Sequence, residues 1–86
     1  MGSASESAGI SLHEAQSGAR LRVLRVEASE DNLEARLESH GFWPGTELSV
    51  VRRAPFGDPI QVKLRGLHLA LRRDEARLIR VEEVPG

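Results

Sequence analysis

His13, His40 and His68 are the only soft metal ligands in a chain that has no cysteine. They lie 27 and 28 residues apart, with no HxxxH or HExxH spacing. Such spacing builds no metal site on one helix or one turn. His13 is followed by Glu14, but neighbours on a strand face opposite ways. His68 falls at an outward position of a strand. His40 follows the last turn of a helix. The plain expectation is three solvated histidines. Hard carboxylates with one or two histidines hold a transition metal weakly, so His13, Glu14, His40 and His68 are the candidates for Fe(II) or Zn(II). Two copies of the chain could share such a site. No cofactor is required by any other motif.

A second set of residues lies in "RRAPFGDPI", Arg52 to Ile60. Pro55 fixes its backbone angle, Gly57 permits a positive φ, Asp58 can bond nearby backbone, and Pro59 offers no donor. Together they make a stiff six-residue turn, Ala54 to Pro59, slightly long for a hairpin connection. Phe56 sits at its tip, and an aromatic on a stiff loop loses little entropy on docking. Trp43 is either the lid of a small core or an exposed anchor for a partner. Catalysis finds no support. There is no G-x-S-x-G elbow, no phosphate-binding P-loop, and no carboxylate pair placed for acid–base work.

Composition narrows the class. Eighty-six residues make one small domain, and the lack of cysteine excludes disulfides and thiolate zinc sites. With 12 basic and 13 acidic residues, the net charge of −1 does not suit a general nucleic-acid binder. Phe42, Trp43 and Phe56 are the only aromatics, too few to line a groove for proline-rich peptides or to stack bases. No apolar run approaches the ~18 residues of a membrane span, so direct membrane insertion is not expected. "MGSASESA" has neither a basic start nor an apolar stretch, and residues 1–8 read as a disordered tail ahead of a domain over 9–84.

The elements that must position these residues are mostly strands. Ala19 to Val26 alternates until Leu24, which predicts a bulge or a strand covered on both faces. "SEDNLEARLESHG" predicts one helix, capped by Ser29 or Asp31, with Leu33 and Leu37 on one face. Gly41 ends it, and Phe42 folds back onto its last turn. Thr46–Arg53, Ile60–Leu64, Leu67–Leu71 and Leu78–Val84 predict four more strands, with a turn or short helical piece at "RRDEA". About five short strands and one α-helix predict an all-β-dominated domain, closed or nearly closed into a small barrel because an open sheet of this size would expose its edges.

Three stretches, "SLHEAQSG", "LEARLESHGFWPGTELSVVRRAPFGDPIQVKLRG" and "LALRRDEARLIRVE", resemble the ferrous iron transport protein A (FeoA) family in order and spacing. The resemblance runs from about Ile10 to Val84. It implies an SH3-like β-barrel and a cytoplasmic accessory protein that binds and modulates FeoB, a membrane iron transporter with a cytosolic GTP-binding domain. The contact set expected on that basis is Trp43, Arg52, Arg53, Pro55, Phe56, Gly57, Asp58 and Pro59, with the arginines steering toward an acidic patch. A homodimer is compatible with the same surface. The alternative implied by the resemblance is a metal-responsive regulatory domain, like the C-terminal barrel of metal-dependent repressors. No DNA-binding helix-turn-helix accompanies it here.

Overall fold

The computed structural model describes residues 9–27 and 31–85. The tail expected over residues 1–8 and the cap expected at Ser29 lie outside them. Asp31 is itself the first residue of its helix.

In chain order the elements are β1 (Ile10–Ser11), a 3-10 turn (Leu12–Glu14), β2 (Arg20–Val26), α1 (Asp31–Ser39), β3 (Glu47–Arg53), β4 (Ile60–Leu64), β5 (Leu67–Leu71), α2 (Arg73–Ala76) and β6 (Ile79–Glu83). The strands form one sheet in the order β1-β6-β2-β3-β4-β5, and every neighbouring pair is antiparallel. Three antiparallel steps, the first by way of α1, carry the chain from β2 to β5. The last strand then returns between β1 and β2, so the two ends of the domain hold each other in register.

Alternation explains which faces meet. Ile60, Val62 and Leu64 are buried while Gln61 and Lys63 are exposed, so β4 puts one full side into the core. Leu21 and Val23 on β2, Leu48 and Val50 on β3, and Ile79 and Val81 on β6 do the same. The predicted irregularity at Leu24 is a bulge: the register against β6 shifts between Val23 and Arg25. A second bulge on β3, between Val50 and Arg52, leaves Val51 exposed. Bulges increase local twist and help a sheet curl around a core.

The end of α1 follows the expected glycine stop. Gly41 has φ +109°, its N–H donates to Glu38 O, and Phe42 N donates to Leu37 O. Phe42 and Leu37 are both fully buried. Burying such a ring contributes about 1.5–3 kcal/mol.

Three features go beyond the sequence-based picture. A two-residue strand, β1, joins the five expected ones, while the helical piece expected at "RRDEA" is α2. His13 and Glu14 lie in a 3-10 turn, not on a strand, so the opposite-face argument does not apply to them. Burial also fades along β5. Leu71 is buried, Leu69 partly so, and Leu67 is 59% exposed, because β5 is an end strand of the sheet, paired on one side with β4 and on the other with no strand among the described residues.

Candidate docking site

The turn between β3 and β4 is held from four directions. Across its base, Ala54 N donates to Pro59 O at 3.1 Å. Inside it, Gly57 N donates to Ala54 O at 2.7 Å, closing a four-residue turn with Pro55 and Phe56 at the centre. Gly57 takes φ +78°, which suits glycine. On one flank, Asp58 Oδ1 accepts from Arg73 N at 3.0 Å, at the start of α2. On the other, Arg53 Nη1 donates to the carbonyl of Ala15 beside the 3-10 turn. These bonds fix the backbone around a phenyl ring that packs on nothing: Phe56 is 89% exposed.

A rigid loop presenting a bare aromatic ring has the properties of a docking anchor. Its ordering entropy is already spent in the free protein, and its apolar area is still available. Pro55 and Pro59 are exposed beside it.

The other residues of the expected contact set divide. Arg52 is exposed and makes no ion pair among the described residues. Arg53 is half-buried and turned toward Ala15, so it positions the loop from behind. Asp58 bonds a backbone group 15 residues on, not the neighbouring one that turn chemistry predicts. Trp43 is 53% exposed and sits in the turn that enters β3, its carbonyl accepting from Thr46 N. The loop lies at the other end of that strand. The seven residues of β3 therefore separate them by about 20 Å at the usual rise per residue. Ala15 and Arg73, which hold the loop in place, carry no signal in the sequence that links them to it.

The histidines do not converge. Among the described residues no three His, Asp or Glu side chains gather where they could hold a metal ion. His40 and His68 are exposed on separate elements, as their positions predict. His13 is half-buried against the loop: a Cβ added to Gly57 would stand 3.9 Å from its Cε1. Its Nδ1 is buried without a hydrogen-bond partner among the described residues. His13 shares a shallow depression with Ser11, Glu14, Arg77 and Arg80. Glu14 is committed to the turn, accepting from Ser11 N at 3.1 Å. Two guanidinium groups in the same depression oppose a divalent cation.

Among the described residues no helix is long and apolar enough to cross a membrane.

A six-stranded antiparallel sheet with short helices inserted between its strands is a small barrel of the SH3-like class. The model of the FeoA domain matches residues 10–83, and the chain belongs to the FeoA family. It is similar to a FeoA-like protein from Clostridium acetobutylicum, with 34% identity, TM-score 0.82, and 92% of this chain and 91% of that one covered. It is also similar to FeoA from Chlorobium tepidum, with 40% identity, TM-score 0.81, and coverage of 90% and 72%. A third relative is FeoA from Stenotrophomonas maltophilia complexed with zinc, with 28% identity, TM-score 0.76, and coverage of 86% and 91%. That protein is described as a procaryotic SH3 domain protein and put forward as a bacterial ferrous iron transport activating factor. The repressor ScaR matches at 22% identity over 38% of its length, a likeness that shows the fold alone.

Proposed function

We propose that this chain is a non-enzymatic accessory protein of bacterial ferrous iron uptake, acting in the cytoplasm by docking on the cytosolic part of FeoB. The observation that carries the reading is Phe56, 89% exposed on a loop whose backbone is fixed from four directions. Membership of the FeoA family supplies the context of iron transport. Phe56 with Pro55 and Pro59 forms the anchor, and Arg52 orients it toward an acidic patch. Trp43 is a second, separate contact for a partner large enough to cover both ends of β3. Modulation of transport requires that the chain bind one state of FeoB better than another, since equal affinity shifts nothing.

Trp43 is the sole tryptophan and is half exposed, so its emission reports on binding directly. Phe56→Ala should keep the parent melting curve, because the ring packs on nothing. It should weaken binding to the soluble GTP-binding domain of FeoB by about tenfold or more. Equal affinity of the two proteins would remove the loop from the interface.

A second reading, a metal-responsive regulatory domain, is favoured by the zinc complex of the Stenotrophomonas relative. The scatter of His13, His40 and His68 and the arginines beside His13 weigh against it. A triple His→Ala variant that still takes up Fe(II) or Zn(II) like the parent would end that reading.

A further inference from the structure

Charge is segregated in this chain. Arg52 to Arg73 contains six cations and one carboxylate, Asp58. Of 12 basic and 13 acidic residues in all, the remaining chain therefore has six and twelve. Ion pairing follows this division except at Arg77, which lies outside the stretch and has no ion pair among the described residues. Arg20, Arg22, Arg25, Arg36 and Arg80 each meet a glutamate at 2.5–3.7 Å. Lys63, Arg65, Arg72 and Arg73 meet none among the described residues.

These unpaired cations surround an unpaired strand. Among the described residues β5 ends the sheet and pairs only with β4. Alternate N–H and C=O groups of Leu67–Leu71 face away from β4. None of them meets a backbone partner across that edge among the described residues. No proline and no bulge blunts the edge. Leu67 is 59% exposed, and Leu69 is only partly buried. Arg65 precedes the strand, Arg72 follows it, and Lys63 stands opposite His68 on the outer face, all four exposed.

We infer that the free edge of β5 receives an extended, acidic segment of a partner protein, which adds to the sheet as a seventh strand. Main-chain hydrogen bonds to Leu67–Leu71 would hold the segment in the manner of strand addition. Its carboxylates would meet Arg65, Lys63 and Arg72, and its apolar side chains would cover Leu67 and Leu69. The same cations repel a second copy of this edge, which makes a foreign strand the fitting occupant. The carbonyls of an open backbone edge find no donor on a phosphate surface, and β4 and β5 carry no Phe, Tyr or Trp to stack a base. This inference stands apart from the Phe56 loop and does not depend on FeoB.

The test uses the full chain labelled with 15N. The probe is an acetylated peptide of about eight residues that alternates glutamate and valine, the length of an ordinary strand. A matched peptide carries lysine for each glutamate. Mixed-sequence duplex DNA and phosphatidylglycerol vesicles are run in parallel. The acidic peptide should shift amides of residues 65–72, slow exchange of the outward amides of β5, and lose its effect as salt rises. Arg65→Glu combined with Arg72→Glu changes two exposed side chains, should fold as the parent does, and should weaken the peptide at least tenfold. Absence of shifts in β5, equal binding of the lysine peptide, or occupation of this face by DNA or vesicles but not by the acidic peptide would overturn the inference.

Discussion

Arg53 donates from Nη1 to the backbone carbonyl of Ala15, a residue 38 positions earlier in the chain. This bond ties the base of the β3–β4 loop to the segment after the 3-10 turn. A loop exposing a phenyl ring would otherwise gain by collapsing onto the barrel. Held at Arg53 on one side and at Asp58 on the other, it keeps the ring in solvent.

Removing this tie should therefore cost stability as well as order. Arg53→Ala should destabilise the domain by about 1.5–3 kcal/mol, the usual range for a hydrogen bond that involves a charged group. Denaturant titration measures the loss. Exchange of the Gly57 amide, which closes the turn onto Ala54, should accelerate in the same variant. An unchanged midpoint with unchanged exchange would show that the loop holds its shape without Arg53.

Gly41 tests the helix stop. Its φ is +109°, and a Cβ there would stand 2.8 Å from Cδ2 of Leu64, a side chain that is itself buried. Gly41→Ala combines a strained backbone with overpacking and should destabilise by about 1–3 kcal/mol. A thermal melt reads the effect, and a melting point within a degree of the parent would contradict the geometry.

Local features of the fold are legible in the sequence because their causes are local. The Ile60–Leu64 alternation, the break at Leu24 and the Gly41–Phe42 stop each need only neighbouring residues, and each appears as read. Phe56 as a loop tip is legible for the same reason. What holds the loop is not, since Ala15 and Arg73 reach it only through the folded sheet. Arg53 reads as a surface cation and turns out to be half-buried. Trp43 and Phe56 read as one contact set because both are free aromatics, yet β3 sets them at opposite ends. The edge character of β5, which bares Leu67, follows from strand order and not from its own alternating pattern.

The acid limb of stability should depend on Glu27. Hydrogen bonds from Arg80 and then Arg25 hold its carboxyl below the ordinary value of 4.5. A carboxylate lowered in the folded state stabilises that state above its unfolded pKa. The contribution disappears as pH falls below 4.5 and through the lower folded value. Glu27→Gln should therefore lose less stability than the parent on acidification through that window. Parallel curves of melting temperature against pH for the two proteins would show that the pair has no linkage to folding.

Trp43 separates stability from recognition. Half of its surface is exposed, and its backbone, not its ring, makes the turn contact with Thr46. Trp43→Phe should change stability by no more than about 1 kcal/mol. Combined with Phe56→Ala, its effect on FeoB affinity should be additive, as for sites about 20 Å apart. Strong non-additivity would mean that one partner pocket takes both rings.

The most direct test of the proposed role is calorimetric titration of the parent chain into the soluble GTP-binding domain of FeoB, with and without Fe(II). The account predicts saturable binding whose affinity does not change with iron, since no metal ligand set gathers among the described residues. Binding that appears only with Fe(II), or no binding in either condition, would contradict it.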